Sequence, residues 1–137
     1  MLMLSCETST LRVLVVDDHE LTRLTLQLVF SCQENIQVVG LASNGQEAIE
    51  MVKLCQPDVI VLDLQMPVMD GWSASSQIKA ISPSTQILAY SSVEDVNYDT
   101  NKMSRFDNVC RKDVPTSELI ALVRQLGNRV GDGPVIQ

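Results

Sequence analysis

The stretch that decides the fold reads Val59-Ile-Val-Leu-Asp63-Leu-Gln-Met-Pro67-Val-Met-Asp70-Gly71-Trp72. Its aliphatic run, 59–62, is typical of a strand buried on both faces, as in a parallel sheet. A strand with one solvent-exposed face would instead alternate apolar and polar residues. Asp63 follows directly, and Pro67 and Asp70-Gly71 then turn the chain. Open α/β sheets bind their ligands outside the carboxyl ends of the strands, which makes Asp63 a candidate site residue. On this stretch alone, an Asp that merely opens a turn is an equally good interpretation.

A second apolar run ends in the same way, since Val13-Leu-Val-Val is followed by Asp17-Asp18. One acidic strand end is common, but two are not. Parallel strands all point the same way, so both ends reach the same edge of the sheet. The pair therefore favours a shared acidic pocket over two unrelated turns.

Length and composition indicate one globular domain. The chain has 137 residues, of which 45% are hydrophobic and 20% charged, and this is enough core to fold without disulfides or metals. Its apolar runs are far shorter than the roughly 20 residues of a spanning helix, and its N-terminus lacks the basic segment of a secretory signal. We therefore expect a soluble, cytoplasmic protein with no membrane partner. The formal net charge of −7 argues against direct nucleic-acid binding by this chain, because such binding needs a basic face.

The cysteines, Cys6, Cys32, Cys55 and Cys110, are far apart and form no Cys-x-x-Cys pair. This spacing signals neither a zinc site nor a compact disulfide framework. We interpret them as buried or incidental thiols in a reducing compartment.

Apolar runs and helical periodicities alternate along the chain, which predicts an α/β fold. Strands that alternate with helices pair in parallel through right-handed crossovers and form a doubly wound, three-layer sheet. We expect residues 1–10 to be a flexible N-terminus, 11–127 to be one domain and 128–137 to be a tail. The predicted strands are 11–16, 36–42, 59–62, 86–90 and 109–111, and helices are predicted between them, with a short or irregular one over 93–108 and a final one over 115–126.

Local patterns refine two of these helices. In the first, Leu21, Leu24, Leu28 and Cys32 recur at three- and four-residue spacing and share one face, as in an amphipathic helix. In the second, Ser43 is the candidate N-cap.

Polar residues end four of the predicted strands: Asp17 and Asp18, Asp63, Ser91, and Lys112. Three carboxylates in one pocket raise one another's pKa unless a cation lies among them, so the cluster predicts a bound divalent ion. Oxygen ligands with few protein groups suit Mg²⁺. A lysine amine and a hydroxyl complete a cradle for a tetrahedral anion. The set predicts phosphoryl transfer onto Asp63, whose carboxylate needs no general base.

His19 and Trp72 each have two interpretations. His19 follows the acids, and we interpret it as a solvated first-turn residue rather than as a metal ligand. Trp72 is expected to be partly exposed at the edge of the pocket, where it would report on the pocket by fluorescence, rather than to contact a specific partner.

These residues resemble the receiver domain of bacterial two-component response regulators, over roughly Leu11 to Leu126. The resemblance implies a flavodoxin-like, five-stranded parallel sheet in the order 2-1-3-4-5, with helices on both faces. The motifs that carry it are Asp17-Asp18, Asp63 within Leu-Asp-Leu-Gln-Met-Pro-Val-Met-Asp-Gly, Ser91 at the end of strand four and Lys112 at the end of strand five.

The resemblance also implies a role for each residue. Asp63 would accept a phosphoryl group from a histidine kinase or a histidine phosphotransfer protein. Asp18 and Asp63, with the backbone carbonyl of Gln65, would hold Mg²⁺, and Asp17 would act mostly through water. The hydroxyl of Ser91 would hydrogen-bond the phosphoryl group, and the amine of Lys112 would pair with it.

As a receiver, the chain would switch the binding of a downstream effector protein or output domain, and it could also form a homodimer. It would not be an enzyme, since it would catalyse only its own phosphorylation and dephosphorylation.

The chain departs from the usual receiver pattern in three places. Lys112 is followed by Asp113, where many members have a proline with a cis bond, so no cis peptide is expected here. A Lys-Asp pair is similar to receivers that precede a LuxR-type helix-turn-helix of transcription regulators. Val109 stands where the family often has an aromatic residue, and residues 103–107 replace a small Gly-Ala pair.

Two other functions remain as alternatives. One is a receiver-like interaction module that no longer depends on phosphate. The other is a small Mg²⁺-dependent phosphatase similar to the haloacid dehalogenase class, but that class uses a second acid two residues after the nucleophile, and here the position is Gln65.

Overall fold

The described part of the chain, which in this computed structural model comprises residues 10–66, 68–92 and 106–132, contains five strands and four helices. Residues 93–105 of the predicted irregular helix lie outside these ranges, as do most of the predicted N-terminal segment and the end of the predicted tail. No helix within the ranges is long and apolar enough to span a lipid bilayer. The elements are β1 (Leu11–Val16), α1 (Glu20–Ser31), β2 (Ile36–Ala42), α2 (Gly45–Cys55), β3 (Val59–Asp63), α3 (Gly71–Ile81), β4 (Gln86–Ser91), β5 (Asn108–Arg111) and α4 (Thr116–Asp132).

All five strands form one parallel sheet in the order β2-β1-β3-β4-β5. Val15 of β1 lies opposite Leu41 on one side and Val61 on the other. β3 pairs onward with β4, where Asp63 lies opposite Tyr90, and β4 pairs with β5. The predicted flavodoxin-like fold and strand order are confirmed, and each predicted strand matches the structure to within one residue.

β1 and β3 are buried on both faces, as their unbroken apolar runs predict. Successive side chains of a strand point to opposite faces of the sheet. Residues 13, 15, 59 and 61 therefore pack against α1 and α4, while residues 14, 16, 60 and 62 pack against α2 and α3. All of these side chains are at most 1% exposed. Burial on both sides fixes the position of the two strand ends that carry the acids.

The first helix turns its predicted face to solvent rather than to the sheet. On that face, Leu21, Leu24 and Leu28 are 78%, 49% and 67% exposed, and we call these three residues the α1 stripe. Cys32, the fourth residue of the face, is also exposed. Leu26 and Phe30 anchor the helix instead, at 2% and 0% exposure, and pack in the cluster of β1, β3 and α4. Two apolar faces overlap on this helix. The sheet takes the face that carries Leu26 and Phe30.

A leucine-to-alanine substitution should lower the free energy of unfolding by very different amounts on the two faces of α1. Leu26→Ala should lower the free energy of unfolding by about 2–4 kcal/mol, because it leaves a cavity in the core. Leu28→Ala should change it by less than ~0.5 kcal/mol, because it removes an exposed side chain. Urea unfolding followed by circular dichroism measures both values. Equal losses in the two variants would contradict this orientation of α1.

The N-cap of α2 lies one residue later than predicted. Asn44 Oδ1 accepts the backbone N–H of Glu47 at 2.9 Å, which is the hydrogen bond expected of Ser43. Ser43 instead donates its backbone N–H and its hydroxyl to the Glu47 carboxylate, at 2.8 and 2.9 Å. Ser and Asn are equally good N-caps, so their order in the sequence does not show which of them starts the helix.

The final helix continues to Asp132, past Gly127, where the sequence predicts a tail. A glycine inside a helix costs only about 1 kcal/mol relative to alanine. A Cβ at Gly127 would clash with the side chain of Leu11. Gly127 therefore allows α4 to approach the start of β1 rather than ending the helix.

Candidate functional site

The carboxyl ends of β1 and β3 bring three carboxylates together. Val16 and Leu62 are paired neighbours in the sheet, so the residues that follow them, Asp17 and Asp63, lie side by side. These two are buried, at 1% and 3% exposure, and Asp18 is half-buried beside them. One oxygen of each carboxylate lies within 4.8 Å of the others. The predicted acidic pocket is therefore present at this edge of the sheet.

Lys112 supplies a cation to the pocket from the end of β5. Its Nζ donates a hydrogen bond to Asp17 Oδ2 at 2.9 Å and lies 3.4 Å from Asp63 Oδ1. Its backbone N–H donates to the carbonyl of Ser91 at 2.7 Å, which holds the turn after β5 against β4. The ammonium also lies 5.5 Å from the centre of the Tyr90 ring, within reach of a cation–π attraction. Side chains from distant parts of the sequence thus converge as the parallel topology predicts.

Gly71 lets the chain fold back against Asp63 after β3. The Gly71 N–H donates to the Leu64 carbonyl at 3.0 Å, and a Cβ at Gly71 would clash with the carbonyl oxygen of Asp63. No larger residue fits there unless the Asp63 backbone moves. Just before it, Asp70 caps α3 by accepting the Ser73 N–H at 2.8 Å. The Asp-Gly pair therefore sets both the start of α3 and the backbone position of Asp63.

The other predicted site residues, Ser91 and Gln65, lie at the same edge of the sheet. Ser91 ends β4 and is fully buried, and its hydroxyl has no hydrogen-bond partner in the described structure. Gln65 is exposed, and its backbone N–H lies 3.3 Å from Asp63 Oδ1. The other oxygen of Asp63, Oδ2, is buried and likewise unpartnered among the described residues. Buried polar atoms without partners are rare in folded proteins, so both groups indicate a site for a ligand.

Two contacts of the pocket have little or no signal in the sequence. The side chain of His19 is 68% exposed, yet its Nδ1 lies 3.1 Å from Asp17 Oδ1 and 3.0 Å from Asp18 Oδ1. Its place directly after the acids is the one hint of this contact. Arg23 donates to the backbone carbonyl of Asp17 at 2.7 Å, and no local pattern marks it.

Burial and neighbouring charges shift two pKa values in the pocket. The pKa of Asp63 rises from 3.8 to about 6, first because of burial and then because of the Asp17 charge, and Lys112 offsets only part of this rise. Burial lowers the pKa of Lys112, but its hydrogen bond to Asp17 and the charges of Asp63 and Asp17 outweigh burial, so this pKa lies above its ordinary value. At pH 7, Asp63 is therefore still mostly ionised.

Residues 13–124, most of the chain, match the family described as the response regulator receiver domain. The chain belongs to this family. The resemblance drawn from the sequence is confirmed, and the cluster of Asp17, Asp18 and Asp63 with Lys112 is the acidic pocket of a receiver.

The curated relatives that the chain matches are longer than the chain itself. Protein-glutamate methylesterase/protein-glutamine glutaminase 2 of Photobacterium profundum is 45% identical over 84 residues, which are 61% of this chain and 21% of that protein. The chain thus spans about a fifth to a third of the methylesterases that it matches.

Solved receiver structures share the fold. The response regulator domain of Thermotoga maritima CheB is 28% identical, with a TM-score of 0.78 over 87% of this chain and 97% of that chain. A chain of the CheX-CheY-BeF3-Mg²⁺ complex of Borrelia burgdorferi, 22% identical, gives a TM-score of 0.78 over 86% of this chain and 90% of that one. Structures of LuxR-family response regulators have the same fold.

The receiver pocket suits a divalent cation. Three carboxylates converge on it, and the ammonium of Lys112 contacts two of them, Asp17 and Asp63, so these side chains leave an excess of negative charge. Hard carboxylate oxygens are the ligands that Mg²⁺ prefers. Asp18 Oδ1 lacks a hydrogen-bond partner within the described ranges and is available as such a ligand. The donor atoms of the pocket therefore fit the predicted Mg²⁺ site.

The raised pKa of Asp63 predicts a pH-dependent stability in the absence of divalent ions. Between about pH 4 and pH 6 the folded state holds a proton on Asp63 that the unfolded chain has released. Because the folded state binds more protons in this window, its free energy of unfolding falls as the pH rises through it and stays lower above it. Asp63→Asn removes the titrating carboxyl group and with it this loss of stability at higher pH. The variant should therefore be more stable than wild type at neutral pH, by at most about 3 kcal/mol.

Urea unfolding of both proteins without divalent ions, near pH 4.5 and near pH 7.5, measures this difference. The advantage of Asp63→Asn should be small in acid and should grow with pH, because only the wild type titrates at this position. An advantage that does not grow with pH would contradict the raised pKa.

Proposed function

We propose that this receiver accepts a phosphoryl group on Asp63 and switches the binding of a partner when it is phosphorylated. The observation that carries the proposal is the unequal environment of the two Asp63 oxygens. Oδ1 faces Lys112 Nζ at 3.4 Å and the backbone N–H of Gln65 at 3.3 Å. Oδ2 is buried without a hydrogen-bond partner in the described structure. An ionised oxygen that no donor occupies is available to form a new bond.

The donor in this proposal is the phosphohistidine of a histidine kinase or a histidine phosphotransfer protein. Asp63 Oδ2 attacks the phosphorus, an O–P bond forms as the N–P bond breaks, and the electron pair of the N–P bond returns to the imidazole nitrogen. The transition state is loose, so the pocket acts mainly by positioning and by neutralising charge on the equatorial oxygens. No general base is needed, because the nucleophile is a carboxylate.

The remaining pocket residues stabilise the transferred group. Lys112, which already contacts Asp63, pairs with one phosphoryl oxygen, and the unpartnered hydroxyl of Ser91 donates to another. Asp18, Asp63 and the backbone carbonyl of Gln65 would hold Mg²⁺, with Asp17 acting mostly through water. When bound, the ion would supply further positive charge to the pocket.

We propose that the α1 stripe is the surface on which the phosphodonor binds. α1 begins at Glu20, two residues after Asp18, so the stripe starts beside the pocket. Its leucines are among the most exposed large apolar side chains of the described residues, and a partner helix would remove them from water. A donor helix that lies along the stripe would therefore reach the edge of the sheet where the pocket lies.

Phosphorylation brings a charge of about −1.5 to −2 into the pocket and biases the receiver between two conformations. We propose that the phosphorylated conformation binds a downstream effector protein or an output domain in the cytoplasm, transcription regulators of the LuxR type included. Nucleic acid is not a partner of this chain in the proposal, because its formal net charge is −7.

Beryllium fluoride tests the proposal because it mimics a phosphoryl group bound to a carboxylate. Trp72, the single tryptophan of the chain, directly follows Gly71, and its ring centre lies 5.1 Å from that of Phe106. A saturable change in Trp72 fluorescence, matched by a bound signal in fluorine NMR, is expected only when Mg²⁺ and beryllium fluoride are both present. A protein that binds neither reagent would instead support a phosphate-independent interaction module. Turnover of added phosphomonoesters would support a phosphatase.

A further inference from the structure

His19 lies over the acidic pocket although its side chain is largely exposed. It is the N-cap residue of α1, but its side chain makes no capping hydrogen bond. Its backbone N–H donates to Asp17 Oδ1 at 2.9 Å, which turns the residue back toward the acids. The ring nitrogen Nδ1 then lies 3.1 Å from Asp17 Oδ1 and 3.0 Å from Asp18 Oδ1.

A single two-centre hydrogen bond accounts for only one of these two contacts. One ring nitrogen offers either one hydrogen or one lone pair, so a well-formed hydrogen bond from Nδ1 to one oxygen leaves the other oxygen short of a partner. The contact with Asp17 has hydrogen-bond geometry, whereas Asp18 Oδ1 has no hydrogen-bond partner within the described ranges. Asp63 Oδ2, on a side chain that is 5% exposed, is also unpartnered there.

The spacing is that of neighbouring ligands around one cation. Donor atoms about 2.1 Å from an octahedral ion lie about 3.0 Å from their neighbours, and the two distances from Nδ1 to the carboxylates are 3.0 and 3.1 Å. One ligand atom from each of Asp17, Asp18, His19 and Asp63 lies within 4.8 Å of the others. An ion placed among the carboxylates is therefore within reach of the imidazole after small side-chain movements.

We propose that His19 is a direct ligand of this cation site and that the site consequently takes first-row transition ions, such as Mn²⁺, Co²⁺, Ni²⁺ and Zn²⁺, as well as Mg²⁺. The inference rests on the proposed metal pocket and adds a nitrogen donor to it. Imidazole favours transition ions, whereas Mg²⁺ prefers oxygen. His19 therefore strengthens the binding of transition ions and contributes little to the binding of Mg²⁺.

Pulsed electron paramagnetic resonance of the untagged full chain loaded with Mn²⁺ tests this ligand directly. The chain contains a single histidine, so a nitrogen coupling of the strength of a bound imidazole identifies His19. We expect this coupling in the wild type and its loss in His19→Ala. In parallel, titration calorimetry with Co²⁺ and with Mg²⁺ should show that His19→Ala weakens Co²⁺ binding by about tenfold or more and changes Mg²⁺ binding by less than about twofold.

Glu20→Gln is the matched control, because it changes the next residue of the same turn, which lies outside the proposed donor set. It should keep the nitrogen coupling. Absence of the coupling in the wild type, or Co²⁺ binding that His19→Ala leaves unchanged, would overturn the role of His19 while the response to Mg²⁺ and beryllium fluoride persists. Loss of that response with the coupling present would overturn the proposed function instead, so the two failures are distinguishable.

Discussion

Asp63→Asn is expected to abolish phosphorylation by a small phosphodonor such as acetyl phosphate, and with it the response to beryllium fluoride. The asparagine side chain has nearly the size and shape of aspartate, but its amide carries no anionic oxygen to attack phosphorus. The atom that is lost is Oδ2, the buried oxygen without a hydrogen-bond partner in the described part of the chain. Phosphate-affinity gel electrophoresis should show a fall of more than about 100-fold in the rate.

Asp70→Asn is the matched control for this variant. It removes the same charge from the same loop and keeps the cap of α3, because Asn is as good an N-cap as Asp. Its phosphorylation should remain at the level of wild type. Urea unfolding in the presence of Mg²⁺ checks that Asp63→Asn is folded under the conditions of the phosphorylation assay. Phosphorylation that survives in Asp63→Asn would place the acceptor elsewhere and contradict the proposed function.

The strand architecture could be predicted from the sequence because apolar runs without alternation have one stable environment. A run such as 59–62 has no polar face to offer water, so helices must cover it on both sides. Repetition of such runs between helical segments then leaves parallel pairing as the outcome. The strand order itself came from the family resemblance, since periodicity does not say which strand neighbours which.

The orientation of α1 could not be predicted because its sequence carries two overlapping apolar faces. The α1 stripe is the more regular of the two, but Leu26 and Phe30 bury more deeply against β1 and β3. That choice depends on the shape of the groove formed by other elements, which local spacing does not encode. The same limit applies to the cap of α2, where Ser43 and Asn44 are equally suitable.

The pocket could be predicted in part for a simple geometric reason. Asp17, Asp63 and Ser91 directly end or follow strands, so the topology alone brings them to one edge. The direction in which a side chain leaves a loop is a different matter. His19 belongs to the turn after β1, and its return toward the acids depends on the hydrogen bond from its backbone N–H to Asp17.

Lys112→Ala is expected to slow phosphorylation by a small phosphodonor about 100- to 1,000-fold, the usual effect of removing one preorganised donor from a developing charge. The Nζ atom lies 2.9 Å from Asp17 and 3.4 Å from Asp63, so it stands where negative charge is already concentrated. Without it, the two buried carboxylates lose a hydrogen-bonding cation. We therefore also expect a loss of roughly 1–3 kcal/mol in the free energy of unfolding when divalent ions are absent.

Mg²⁺ separates the two effects of this substitution. The ion would neutralise the carboxylates and should restore most of the lost stability, but it would not replace the ammonium that contacts Asp17 and Asp63. A slow rate at saturating Mg²⁺ therefore reports the role of Lys112 in transfer, and Lys112→Met, which keeps much of the apolar stem, should be equally slow. Arg111→Ala is the control, because it removes the neighbouring positive charge, which pairs with Asp113 at the surface. If Arg111→Ala were as slow as Lys112→Ala, general charge rather than the position of the lysine amine would govern the rate.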